Sequence, residues 1–250
     1  MDLKIIPLDV GNIETDKSNL TPRRDYGRTF KSASIMWFID ASPIKIIVDT
    51  SFKSVELASK LHHPITVERR PEQHIQRTLS AIGVTAESID IVVLTHLHWD
   101  HCQNNDLFPN AKFIVQREEL RYATSPLPFH AMLYEALTMD MRPMWLDTPN
   151  IEVVDGDREI AAGISVIHTP GHTPGYQSVL VASGQGKIAI AGCMVPTFEN
   201  WHASEKEAYI PSGLYVDLEQ YWRSLTKIDL LADLVLPGHD PDVFKKEIYP

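Results

Sequence analysis

Thr95-His96-Leu97-His98-Trp99-Asp100-His101 follows directly on the apolar run Ile91-Val92-Val93-Leu94. Four side chains of metal-binding type, His96, His98, Asp100 and His101, fall within six residues. In an extended chain His96 and His98 stand at i and i+2 and point to the same side. A tight turn after them can return Asp100 and His101 from another direction. That arrangement suits two adjacent metal ions better than one structural zinc, whose four ligands leave no opening. Read instead as a plain polar turn, the stretch would crowd polar groups at a strand end with no partners for them.

Outward from this stretch, short apolar runs predict strands over 44–48, 91–94, 112–115, 164–168, 178–181, 187–191 and 234–236. Ile75, Leu79 and Ile82 are spaced for a helix, with Gly83 placed to cap its end. Leu218, Tyr221, Trp222, Leu225 and Ile228 form a second amphipathic face. The segment 117–137 starts as a helix and is interrupted at Pro126 and Pro128. Residues 12–34 are polar and read as a long loop. Strands mixed with single helices predict an α/β architecture, one domain over 1–250 in two halves divided near 150.

A length of 250 residues allows a sizeable core, and 44% hydrophobic with 22% charged residues is ordinary for a globular protein. The net charge of −10, with no run of Lys or Arg, argues against a nucleic-acid partner. No stretch approaches the ~20 apolar residues that span a bilayer, so no membrane role is expected. Met1-Asp2-Leu3-Lys4 does not read as a signal peptide. The only cysteines, Cys102 and Cys193, form no disulfide framework, and a reducing cytoplasm is expected. The expected partner is a small-molecule substrate, and the chain is compatible with a homo-oligomer.

Three further ligand-type residues each lie at a predicted strand end beside a glycine. His172 stands in Thr169-Pro170-Gly171-His172-Thr173-Pro174-Gly175, Cys193 in Ala191-Gly192-Cys193, and His239 in Leu236-Pro237-Gly238-His239-Asp240. Polar residues gathered at one sheet edge are how open α/β folds build active sites.

His96-x-His98-x-Asp100-His101, then His172, a residue at 193 and His239 resembles the ligand order of the metallo-β-lactamase superfamily. His172-Thr173-Pro174-Gly175-Tyr176-Gln177-Ser178, Ile114-Val115-Gln116-Arg117-Glu118-Glu119 and the late Gly238-His239-Asp240 are similar to its N-acyl homoserine lactone lactonase branch. The resemblance implies an αββα sandwich with a dinuclear zinc site at one edge. It assigns His96, His98 and His172 to one ion, and Asp100, His101 and His239 to the other. A hydroxide between the ions would be the nucleophile, with Asp100 handling the proton. Two cations lower the pKa of a shared water and polarise a carbonyl, which suits ester, lactone, thioester and amide hydrolysis.

The chain departs from that branch twice. Cys193 stands where those lactonases carry a bridging aspartate; as a thiolate ligand it favours zinc. Pro196 stands where they carry a tyrosine that stabilises the oxyanion; Tyr176, Tyr209, Tyr215 and His202 are the candidate substitutes. Trp99, His202, Tyr209 and Tyr215 are candidate substrate contacts, and Phe30, Trp37, Phe129 and Met132 could add apolar wall. Asp49 reads equally as a strand-end cap or as an acceptor that orients a ligand histidine. Cys102 reads as a packed thiol behind the site, and His62, His63, His74, His130 and His168 as surface or loop residues. The expectation is a dinuclear zinc hydrolase of a lactone or related cyclic ester or amide. A thioesterase or β-lactam hydrolase is the alternative, and a di-iron redox protein the alternative of another class.

Overall fold

The computed structural model describes residues 3–201, 204 and 207–249. Its strands are β1 (Lys4–Asp16), β2 (Thr29–Ala41), β3 (Ile44–Val48), β4 (Thr66–Glu68), β5 (Ile91–Val93), β6 (Lys112–Gln116), β7 (Ile151–Val154), β8 (Arg158–Ala161), β9 (Ile164–His168), β10 (Gln177–Ser183), β11 (Gly186–Gly192) and β12 (Leu234–Pro237). Its helices are α1 (Val55–Leu61), α2 (Ile75–Ala81), α3 (Trp99–Cys102), α4 (Arg117–Thr124) and α5 (Leu218–Leu231). Two mixed sheets result, ordered β4-β1-β2-β3-β5-β6-β7 and β12-β11-β10-β9-β8. The chain passes from one sheet to the other at 155–157.

Strand periodicity explains the layers. Alternate residues of a strand face opposite sides. Ile35, Trp37, Ile46, Val48, Val93 and Ile114 of the first sheet meet Val166, Val179, Val181, Ile188, Ile190 and Leu236 of the second in one core. The intervening residues Met36, Phe38, Ile47, Val92 and Phe113 pack outward against Ile75 and Leu79 of α2 and Ala123 of α4. On the other side Ile167, Ala189, Ala191 and Val235 pack under Tyr221, Leu225 and Ile228 of α5. Strands covered on both faces read as continuous apolar runs, which is why 44–48, 91–94 and 187–191 were visible in the sequence. The architecture is an α/β sandwich of helix, sheet, sheet and helix layers. No helix among the described residues is long and apolar enough to cross a membrane.

The expected loop over 12–34 is corrected. β1 and β2 pair from Lys4↔Asp40 to Asp16↔Thr29, so only 17–28 is left as a connection. The outer half of this hairpin is polar because only one side is covered: Ile13 is buried while Glu14 is exposed. In α5, Trp222 and Leu218 lie 46% exposed rather than on the buried face.

Candidate active site

The signature stretch leaves β5 and runs across the edge of the first sheet. Leu94 N donates to Ile114 O at 3.0 Å, which carries the strand direction into Thr95. His96 and His98 follow in extended chain, and α3 then turns Asp100 and His101 back. The other ligand-type residues arrive from the second sheet: His172 from the β9–β10 loop, Cys193 after β11 and His239 after β12.

Close packing explains the flanking glycines. A Cβ on Gly171 would sit 2.3 Å from Tyr221 Cα, so the His172 loop lies directly against α5. Gly192 has φ +56, and its Cβ would stand 2.2 Å from the Tyr176 hydroxyl. That hydroxyl accepts from Cys193 N at 2.7 Å and donates to Ala191 O at 3.0 Å, fixing the turn that presents the thiol.

The potential ligand atoms fall into three overlapping groups, each with atoms within 4.8 Å of one another: His96, His98 and His172; His96, His101 and Cys193; Asp100, His101 and His239. His96 Nε2 lies 2.9 Å from His98 Nδ1. Cys193 Sγ lies 3.2 Å from Nε2 of His101 and 3.2 Å from Nε2 of His239. Asp100 Oδ2 lies 3.4 Å from His101 Nε2.

The far nitrogens orient the rings. His101 Nδ1 donates to Asp49 Oδ2 at 2.8 Å, His172 Nδ1 to Leu214 O at 2.9 Å and His239 Nδ1 to Ala33 O at 3.0 Å. The Thr95 hydroxyl gives its proton to Asp49 and accepts from His96 Nδ1 at 3.0 Å. Each of these four imidazoles therefore turns its Nε2 into the cluster. The buried Nε2 atoms of His98 and His172 have no hydrogen-bond partner among the described residues. Imidazole nitrogens, a carboxylate and a thiol converge within a few ångströms of one another. This donor set fits a pair of cations.

The electrostatics agree. Burial, then the neighbouring imidazoles, pushes His96 and His98 well below the ordinary histidine value. Burial alone would raise Cys193, but His101 and His239 hold it well below the usual thiol range. Burial would likewise raise Asp100, and the same two imidazoles hold it well below the usual carboxylate range. Against burial, the Cys193 thiolate raises both His101 and His239. The thiolate thus favours positive charge on the two imidazoles that flank it.

Asp49 acts as more than a strand-end cap. It has φ +61, and its Oδ1 accepts from Thr95 N at 2.8 Å while its Oδ2 faces His101. Cys102 is the packed thiol expected, its Sγ 3.3 Å from His98 O. Glu119, which sequence reasoning gave no role, is fully buried. It accepts from Leu97 N (2.9 Å), Tyr134 Oη (2.9 Å) and Thr173 Oγ1 (2.6 Å), tying the His96–His98 segment to the His172 loop. It closes the stretch 114–119 that carries the resemblance, but nothing local marks its role beyond an acidic residue in the first turn of α4, common to many helices.

A cleft of about 300 Å³ opens onto the cluster, with Ile13, Leu20, Ile65, Trp99, Phe129 and Leu133 as its apolar wall. Pro196 lines it as well. Trp37 lies instead in the core between the sheets, and Phe30 and Met132 do not line the cleft. Tyr209 and Tyr215 line a separate groove of about 1030 Å³. Tyr209 Oη donates to Asp229 at 2.6 Å, which turns it from the cluster. Tyr176 is consumed by the Cys193 turn, so none of these tyrosines replaces the missing oxyanion donor. His202 lies outside the described residues. His62 and His130, expected as surface or loop residues, lie in connecting segments but are buried, at 6% and 4% exposure.

Known proteins share parts of this sequence and this fold. Over 110 residues the chain is 34% identical to an N-acyl homoserine lactonase of Bacillus sp., an alignment covering 44% of this chain and 40% of that protein. It is 26% identical to N-acyl homoserine lactonase AttM of Azorhizobium caulinodans over 98% of this chain and 97% of the relative. Among solved structures, an N-acyl homoserine lactone hydrolase with N-hexanoyl-L-homoserine bound at its catalytic metal centre superposes with a TM-score of 0.79. That match has 22% identity and covers 98% of this chain and 96% of the other. The metallo-β-lactamase superfamily profile matches residues 36–239, a span that takes in every ligand-type residue of the cluster, and the chain belongs to that superfamily.

Proposed function

We propose that this protein hydrolyses a lactone, or a related cyclic ester or amide, that carries an apolar substituent, and that it does so with two zinc ions. The observation that carries the reading is the donor set: four inward Nε2 lone pairs with a thiolate and a carboxylate, every orienting proton directed outward. His96, His98 and His172 would hold one ion, and Asp100, His101 and His239 the other, with Cys193 between them. A soft thiolate favours zinc over manganese at this place. When bound, such a pair lowers the pKa of a water and polarises a carbonyl oxygen.

The chain's own groups do the rest. Asp100, held ionised by its imidazole neighbours, accepts the proton of the attacking water at a carboxylate oxygen and passes it to the leaving alkoxide. Asp49 keeps His101 in the Nδ1–H tautomer. Ser32 and Ser212 line the cleft but already give their hydroxyl protons to Ile13 O (2.7 Å) and Leu214 O (3.0 Å). Pro196 has no proton to give. The cleft walls exclude bulk water and accept the substituent through apolar contact.

Hydrolysis rates over a panel of lactones, cyclic amides, thioesters and β-lactams, measured with purified zinc-loaded protein, test this reading. Alkyl-substituted lactones should turn over fastest. A preference for thioesters or β-lactams would replace the substrate class, and full activity in metal-free protein would end the metal reading.

A further inference from the structure

His62 and Glu135 lie behind the cleft wall and take no part in the chemistry above. Their side chains are 2% and 6% exposed. The His62 ring stacks on Trp99 with centroids 4.1 Å apart and planes at 14°. Its Nε2 lies 3.2 Å from Glu135 Oε1, and the same oxygen accepts from Gln103 Nε2 at 2.8 Å. Trp99 N donates to Leu133 O at 2.9 Å, so the turn that carries Glu135 also pins the Trp99 backbone.

Two features here are costly. Glu135 adopts φ +47, a left-handed conformation that side chains with a Cβ rarely take. It also takes a carboxylate out of water, which is tolerated only when the group is paired. Both costs meet behind one side chain, Trp99, which lines the cleft. Phe52 approaches Trp99 at 6.0 Å and a 47° tilt, so the parallel contact comes from His62 alone among the described residues. An imidazole can stack and reach Glu135 together; a phenyl ring could only stack.

We infer that His62 and Glu135 are positioning residues for Trp99: they hold the indole as a rigid wall and so set how tightly the apolar substituent of the substrate is gripped. The inference rests on the hydrolytic reading above. A wall ordered in advance spares the ordering cost of binding. Its effect falls on the substituent, not on the ring that reacts at the ligand cluster.

The test compares zinc-loaded wild type, His62→Ala, His62→Phe and Glu135→Gln on an unsubstituted γ-lactone and on the same ring with a ten-carbon alkyl tail. His62→Ala should raise KM for the tailed lactone about fivefold, the size expected for one lost aromatic contact. Its kcat should stay near wild type, and neither constant should change on the bare ring. His62→Phe restores the stack and should recover most of the lost KM, while Glu135→Gln should raise KM on the tailed lactone only, and by less. Equal losses on both lactones, or none on either, overturn the inference. If His62→Ala does not fold, His62→Phe and Glu135→Gln decide alone, and an unchanged tailed KM in Glu135→Gln overturns it. If wild type cleaves neither lactone, the lactone substrate class falls by itself. Calorimetric titration with 1-decanol then decides: weaker binding in His62→Ala with recovery in His62→Phe supports the positioning role, and unchanged binding ends it.

Discussion

Four of the five clustered imidazoles are oriented by the nitrogen that faces away, on Thr95, Asp49, Leu214 O and Ala33 O. Removing any of the five rings removes a nitrogen that faces the cluster. His98→Ala and His172→Ala should each lower kcat by ~10²-fold or more, because unassisted water is a poor nucleophile near neutral pH. Steady-state rates at saturating zinc, with metal analysis, check this, and near-normal kcat in either variant would refute the ligand assignment. Cys193 lies 3.2 Å from two ligand-type nitrogens, so cobalt-substituted protein should show a sulfur-to-metal charge-transfer band. Cys193→Ser should abolish the band and lower occupancy of the second ion; a band that survives would make Cys193 a packed neighbour. The clustered residues were legible because each sits in a local motif, at a strand end next to a glycine or another ligand. Asp49 was half legible, since two roles fit its position. Glu119 and His62 were not legible, because their partners Thr173 and Glu135 lie 54 and 73 residues away. No local spacing encodes such a contact.

At the scale of elements, α4 and α5 hold the loops that carry the ligands. Burial raises Glu119 at the start of α4 above its ordinary 4.5, outweighing the three groups that donate to it. A raised carboxyl binds its proton more tightly when folded. Its stabilising contribution is complete below 4.5 and is lost as pH rises through the folded value. Wild type should therefore gain stability relative to Glu119→Gln as pH falls through the folded value towards 4.5, and the gain should level off below it, followed by urea unfolding at a series of pH values. A difference independent of pH would mean that Glu119 titrates as a free carboxyl. Against α5, Gly171→Ala forces a Cβ to within 2.3 Å of Tyr221 Cα at a φ of +142. It should cost about 1–3 kcal/mol, as overpacking does, and loosen the His172 loop. Denaturant midpoints and zinc retention measure the two effects together. The strands buried on both faces were readable from their apolar runs. The outer β1–β2 hairpin and β4, β7 and β8 were not, because half-covered strands intersperse polar residues, whereas the equally short β5 and β12 are nearly all apolar and buried.

Across the whole molecule, the first sheet's segment supplies His96, His98, Asp100 and His101, and the second supplies His172, Cys193 and His239. Cations bound there would cross-link the two sheets and stabilise the native state by mass action, about 4 kcal/mol at roughly a thousandfold excess over Kd. Dialysis against dipicolinate should therefore lower the calorimetric Tm by several degrees, and zinc should restore it. An unchanged Tm would mean that the cluster holds no ion that matters to the fold. The acidic balance of −10 matches a surface with no basic tract, and the chain should not be retained on DNA at physiological salt. The division of ligands between the sheets also imposes a timetable on the ribosome. Each three-residue set needs a member from the later half of the chain: His172 for the first, His239 for the last. On the proposed assignment, a nascent chain could capture one ion only once the His172 loop, and the Leu214 carbonyl and α5 that hold it, have been made. It could capture the other only after β12 has been made, so loading of the two proposed ions would be staged by translation itself.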